Sequence, residues 1–209
     1  MPAMDQIAGH KIVPVVVLDD AKDAAPLADA LVAGGLPIAE VTFRTAAAAT
    51  SIKIMADRGD ILVGAGTVLT ISQVDAAAEA GAQYIVSPGT SALVTNRCKE
   101  LGITSLPGAT TATEVQAALE LGLDVVKFFP AGTSGGHAAI TALSAPFGNV
   151  RFIPTGGIGP SNLDDYLKIP SVIAVGGSWM VPRGLIREQK FDQIAELCHT
   201  AVSLTQPAQ

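Results

Sequence analysis

The chain has 209 residues, 49% of them hydrophobic and 15% charged, with a formal net charge of −6. That composition supplies a core and excludes a disordered chain. The negative balance argues against nucleic acid or an anionic membrane as a main partner, so an anionic ligand would need locally concentrated positive groups. No apolar run approaches the ~18 residues of a membrane span. Residues 1–10 carry neither a basic nor an apolar signal region, which predicts a cytoplasmic protein. Cys98 and Cys198 lie far apart without a CxxC pattern and read as reduced, buried small hydrophobes.

Short apolar runs then alternate with helical stretches. Residues 11–18 (KIVPVVVL) predict a first strand, and 20–33 a helix stopped by Gly34 and Gly35. Residues 38–44 (IAEVTFR) predict the second strand, followed by a helix over 45–57. The third strand is 62–68 (LVGAGTV), with a helix opened by Ser72 and closed by Gly81. The fourth is 84–89 with a helix over 91–101, and the fifth 104–109 with a helix over 111–121. The sixth, 125–131 (VVKFFPA), precedes a helix over 137–144. The seventh, 151–158 (RFIPTGGI), precedes a helix over 162–168. The eighth is 172–179 (VIAVGGSW), and a last helix covers about 191–204.

The strands are near-continuous apolar runs, as expected where both faces are covered. Eight strand–helix units without a composition break predict one α/β domain over 1–209, a single (β/α)8 TIM barrel with a short N-terminal segment at 1–10. A doubly wound open sheet is the alternative, weakened because no GxGxxG follows the first strand.

In such a barrel, chemistry sits at the C-terminal ends of the strands. The sixth strand holds Lys127 in an apolar wall. A buried ammonium is costly, so burial favours a neutral amine, a nucleophile for a carbonyl carbon. The plainer readings are a lysine that snorkels to water or a buried ion pair. The period of two puts Glu40, Thr42 and Arg44 on one face of the second strand, pointing inward. A Glu40–Arg44 pair that only seals the interior is equally open at this point. Thr67 ends the third strand, and the seventh and eighth end in Thr155-Gly156-Gly157 and Gly176-Gly177-Ser178. Those glycines are either turn formers or a place where backbone N–H groups approach a phosphate. His10, His137 and His199 share no metal-ligand spacing.

Taken together, EVTFRT (40–45), GAGTV (64–68), SPG (87–89), KFFPA (127–131), PTGGI (154–158) and GGSW (176–179) resemble the 2-keto-3-deoxy-6-phosphogluconate aldolase family, which includes 4-hydroxy-2-oxoglutarate aldolases. The likeness covers nearly the whole chain in order; KFFPA with EVTxRT is specific, whereas PTGGI is shared by other phosphate-binding barrels. It implies a class I lyase that cleaves a phosphorylated 2-keto acid, a homotrimer, and neither metal nor other cofactor. It implies that Lys127 forms the Schiff base, Glu40 is the general acid/base, and Arg44 with Thr67 holds the substrate carboxylate. Pro88 and Phe129 would then wall the pyruvate pocket and Thr155 would bond a substrate hydroxyl. Gly156, Gly157, Gly176, Gly177 and Ser178 would hold the phosphate.

Two positions depart from the pattern. Gly132 stands where relatives often carry an acid, and Asp19-Asp20 where some carry basic residues, which predicts weaker anion steering at that rim. The alternatives are an aldolase for 4-hydroxy-2-oxoglutarate, a sugar-phosphate isomerase or epimerase, and a catalytically silent sugar-phosphate binder.

Overall fold

The computed structural model describes residues 2–206. Among them, α1 (Pro2–His10) leads into β1 (Ile12–Val16), α2 (Ala24–Ala33), β2 (Ile38–Thr42), α3 (Ala48–Ala56) and β3 (Leu62–Gly66). There follow α4 (Ile71–Glu79), β4 (Tyr84–Val86), α5 (Ala92–Glu100), β5 (Thr104–Leu106), α6 (Ala112–Glu120) and β6 (Val125–Phe128). The chain continues through α7 (Gly136–Ser144), β7 (Arg151–Pro154), α8 (Leu163–Leu167), β8 (Val175–Gly177), α9 (Arg183–Arg187) and α10 (Phe191–Ser203). Three helices begin on side-chain caps. Thr70, Ser91 and Thr111 accept hydrogen bonds from the backbone N–H of Gln73, Val94 and Glu114, satisfying donors that the first turn leaves free. Glu114 returns the contact in a full capping box. The Thr70 cap starts α4 one residue before the Ser72 expected from the sequence.

The predicted closed eight-stranded barrel is corrected by the strand pairing. Six parallel strands form one sheet in the order β5-β4-β3-β2-β1-β8, and β6 pairs with β7 in a separate two-stranded sheet. Across the two seams run only single bridges: Gly108 to Lys127 on one side, and Phe152 to Val172 and Thr155 to Gly176 on the other. The reason is local. Leu106, the last residue of the short β5, is followed by Pro107, and β7 ends at Pro154. A proline has no N–H to give to a ladder, so a regular register stops there.

β1, β2, β3 and β4 are buried along their full length, with Val, Ile, Leu and Ala on both faces. Inside the six-stranded sheet, Tyr84 is buried and its hydroxyl donates to the Ala39 carbonyl at 2.8 Å. Burial, then the nearby Glu40 carboxylate, pushes the phenol's pKa well above its ordinary value, so it stays a donor. Tyr84→Phe removes that donor and leaves a buried carbonyl short of a partner. The expected cost is about 1 kcal/mol of stability, read as a shifted urea midpoint with unchanged slope.

Candidate active site

Lys127 sits at the seam between the two sheets. Its backbone N–H donates to the Pro107 carbonyl and its own carbonyl accepts from Ala109 N–H, each at 2.8 Å. Those bonds fix the β6 strand so that the side chain crosses the interior toward β2. There the ammonium Nζ lies 2.9 Å from Glu40 Oε1 and 3.3 Å from Oε2. Lys127 is 6% exposed and Glu40 3%. Of the readings open at the sequence level, the buried ion pair is the geometry found, and Glu40 pairs with Lys127 rather than with Arg44. Room for the carboxylate comes from Gly66 on β3: a side chain there would place Cβ 2.7 Å from Glu40 Cγ. A buried ion pair contributes little net stability, because removing two charges from water costs about as much as their attraction returns. A buried nucleophile–carboxylate pair that adds little stability is a candidate for chemistry.

Above the pair, the Phe129 ring lies with its centroid 5.4 Å from Lys127 Nζ. The same residue lines a cleft of about 390 Å³ at the C-terminal ends of the strands. This is where parallel sheets bind ligands. Arg44, Thr155, Gly156, Gly157, Gly177 and Ser178 also line it. Arg44 lies just past the end of β2, and its Nε donates to Thr67 Oγ1 at 3.4 Å. Thr67 holds φ at +57°, which for a β-branched residue costs about 1–3 kcal/mol and is kept where geometry matters more than comfort. Thr155 Oγ1 is buried and has no hydrogen-bond partner among the described residues.

The glycines divide by cause. Gly156 and Gly157 hold φ at +94° and +75°, the left-handed region that side chains avoid, so they form the turn that exposes backbone N–H groups. Gly176 and Gly177 make room instead, the first for the Thr155 side chain and the second for the Trp179 ring. Gly176 packs behind Thr155 and does not line the cleft. Pro88 does not line it either, although its backbone meets Gly108 closely. Burial pushes the Cys198 thiol up to about 12 and the Cys98 thiol above its ordinary value, so neither is a ready thiolate.

The comparisons with known proteins decide the family. The family model described as KDPG and KHG aldolase matches residues 4–197. The chain belongs to that aldolase family. A curated 2-dehydro-3-deoxy-phosphogluconate aldolase of Haemophilus influenzae is 45% identical over 202 residues, covering 96% of this chain and 95% of the relative. A solved KDPG aldolase from Legionella pneumophila, with pyruvate captured as a covalent carbinolamine, superposes with a TM-score of 0.91 at 38% identity, covering 96% of this chain and 97% of that one. A Zymomonas mobilis ZM4 aldolase with 3-phosphoglycerate gives a TM-score of 0.90 at 42% identity, covering 98% and 97%.

Within this aldolase, the sequence reading missed one basic residue of the cleft. Arg183, at the start of α9, lines the same wall as Gly177 and Ser178. Its guanidinium grips Asp19 with two nitrogens, Nε at 2.9 Å from Oδ2 and Nη2 on Oδ1. Arg187 Nε reaches the same carboxylate at 2.8 Å. Hydrogen bonds from Arg183, then Arg187, hold the Asp19 carboxyl well below the usual carboxylate range. From sequence alone Asp19 predicts weaker anion steering; in the fold it is one negative charge held between two positive ones. Position after the last strand was the only sequence signal for Arg183, because its partner is 164 residues away.

Proposed function

We propose that this chain is a class I aldolase cleaving 2-keto-3-deoxy-6-phosphogluconate to pyruvate and glyceraldehyde 3-phosphate. The observation that carries the reading is the buried Lys127–Glu40 pair, 2.9 Å apart beneath a cleft at the strand ends. An attacking amine must first lose its proton, and the Glu40 carboxylate is within reach to take it. The Lys127 nitrogen adds to the C2 ketone to give a carbinolamine, and Glu40 returns the proton it took to the departing hydroxyl, so that water leaves, an iminium forms and the carboxylate is restored. The Glu40 carboxylate then removes the C4 hydroxyl proton. The C3–C4 bond breaks, its electron pair moves into the iminium as an enamine, and the aldehyde leaves. Protonation at C3 and hydrolysis return pyruvate and the amine. Arg44, braced by Thr67, suits the C1 carboxylate, since a guanidinium can bind it with two parallel bonds. Thr155 Oγ1 suits a substrate hydroxyl, and Gly156 and Gly157 with Ser178 suit the phosphate. A sugar-phosphate isomerase would need no amine buried against a carboxylate.

The carrying test is a mass shift on Lys127 after pyruvate and borohydride. Substrate choice is tested by kcat/KM for 2-keto-3-deoxy-6-phosphogluconate against 4-hydroxy-2-oxoglutarate, in wild type and Gly157→Val. Valine at φ +75° both strains the turn and covers its N–H groups. KM for the phosphorylated substrate should rise at least about tenfold, the value of one charged hydrogen bond, with pyruvate trapping retained. A wild type that prefers the unphosphorylated acid would make the 4-hydroxy-2-oxoglutarate aldolase the better reading.

The homotrimer of the sequence reading has support in exposed apolar side chains beyond β3 and β4: Leu69 at 58%, Ile71 at 42% and Leu93 at 69% exposure. Exposed apolar side chains of that size suit a subunit contact. Sedimentation at equilibrium tests it, and a monomer at micromolar concentration removes it. Among the described residues no helix is long and apolar enough to cross a membrane.

A further inference from the structure

We propose that Arg183 is the specificity-determining side chain that grips the substrate's phosphate. This rests on the phosphorylated-substrate reading above. Among the described residues lining the cleft there are two cationic side chains, Arg44 and Arg183, and no acidic one. They stand apart. Arg44 follows β2 and leans on Thr67, just beyond β3, whereas Arg183 follows β8, with β1 lying between β2 and β8 in the sheet. Arg44 is thereby committed to one end of a substrate that carries an anion at each end. At the other end Gly156, Gly157 and Ser178 can offer N–H and O–H groups, but none carries a full charge. In a chain with a net charge of −6, the positive field for a dianionic phosphate must come from a nearby side chain.

Arg183 has the build for that task. Asp19 engages its Nε and Nη2 and so fixes the plane of the fork, while the Nη1 nitrogen is not used by Asp19. A planar guanidinium held on one edge presents its remaining N–H groups without further ordering. Asp19 does not cancel the site, because Arg187 also binds it and the group of three carries a net single positive charge. The shorter 4-hydroxy-2-oxoglutarate ends in a carboxylate next to C4, whereas the phosphate is carried further along the chain. A residue at the far wall should therefore discriminate between them.

The test is steady-state kinetics on both substrates for wild type, Arg183→Ala and Arg183→Lys, with inorganic phosphate as a competitive inhibitor and pyruvate trapping on Lys127 as the check of an intact site. Arg183→Ala should raise KM for the phosphorylated substrate about 10–100-fold, the range for a charge-assisted hydrogen bond, with a smaller change in kcat. KM for 4-hydroxy-2-oxoglutarate should move less than about twofold, and phosphate inhibition should weaken in step. Arg183→Lys should recover part of the loss, since it keeps the charge without the fork. In wild type, inorganic phosphate should also slow phenylglyoxal modification of Arg183. Equal losses on both substrates, an unchanged KM with trapping intact, or no protection by phosphate would each overturn the proposal. If wild type itself does not prefer the phosphorylated substrate, the underlying reading fails. If it does prefer it and Arg183→Ala is silent, only the role of Arg183 fails.

Discussion

Lys127→Ala should lose turnover by roughly 10⁴–10⁶-fold, the size seen when a covalent nucleophile is removed. It should also lose the adduct that borohydride traps with pyruvate. Every covalent step of the proposed cycle passes through this nitrogen, and the buried carboxylate beside it cannot replace it, since a carboxylate forms no iminium. Lys127→Arg should be as inactive: the guanidinium keeps its proton and offers no lone pair. The alanine variant leaves Glu40 buried without its partner, so it should be less stable as well; for a broken buried pair the loss is about 3–5 kcal/mol. Lys127→Arg separates the two effects, because it keeps a positive partner for Glu40, and it should be inactive while folded. Intact-mass analysis after trapping is the decisive readout, and a stable adduct on any other lysine would sink the assignment. EDTA should leave the wild-type rate unchanged; activity lost to chelation and restored by Mg²⁺ or Mn²⁺ would overturn the imine mechanism.

The parts that were legible from sequence are those set by local periodicity. Alternation in IAEVTF placed Glu40 and Thr42 on one face, and both are buried, with Thr42 Oγ1 donating to the Val16 carbonyl at 2.8 Å. Apolar β-branched runs gave the strands, including the ValValLys segment that became β6. What stayed hidden depends on register between distant segments. Pro107 and Pro154 are visible in the sequence, but whether they break a ladder depends on which neighbour their missing N–H would have served. The barrel expectation failed at these two seams, and one of them holds Lys127. The partner of Glu40 was equally hidden. Arg44 is four residues away and Lys127 is 87 away, and the fold chose the distant one. Arg183 was hidden for the same reason, because a surface arginine gains meaning only from the wall on which it stands.

Glu40→Gln should cut kcat by roughly 10²–10⁴-fold, the usual contribution of a positioned acid or base. The amide keeps the shape of the carboxylate, and the space given by Gly66 still accommodates it. It can accept a hydrogen bond from Lys127, but it cannot take the C4 hydroxyl proton or return one to the enamine. The loss should therefore fall on bond cleavage and on enamine protonation rather than on carbonyl addition. Pyruvate should still form a trappable adduct on Lys127, more slowly, because proton removal from the amine is now left to solvent. Exchange of the pyruvate methyl protons with deuterium isolates the step: it needs only the imine and a base, with no phosphorylated substrate. In Glu40→Gln that exchange should fall by a factor similar to kcat, while trapping at long times approaches the wild-type level. If exchange stays fast while cleavage is lost, the carboxylate serves the aldehyde-forming step alone and a second base works at C3. If both stay near wild type, the carboxylate 2.9 Å from Lys127 is only its counter-ion, and the acid/base role lies with another group in the cleft.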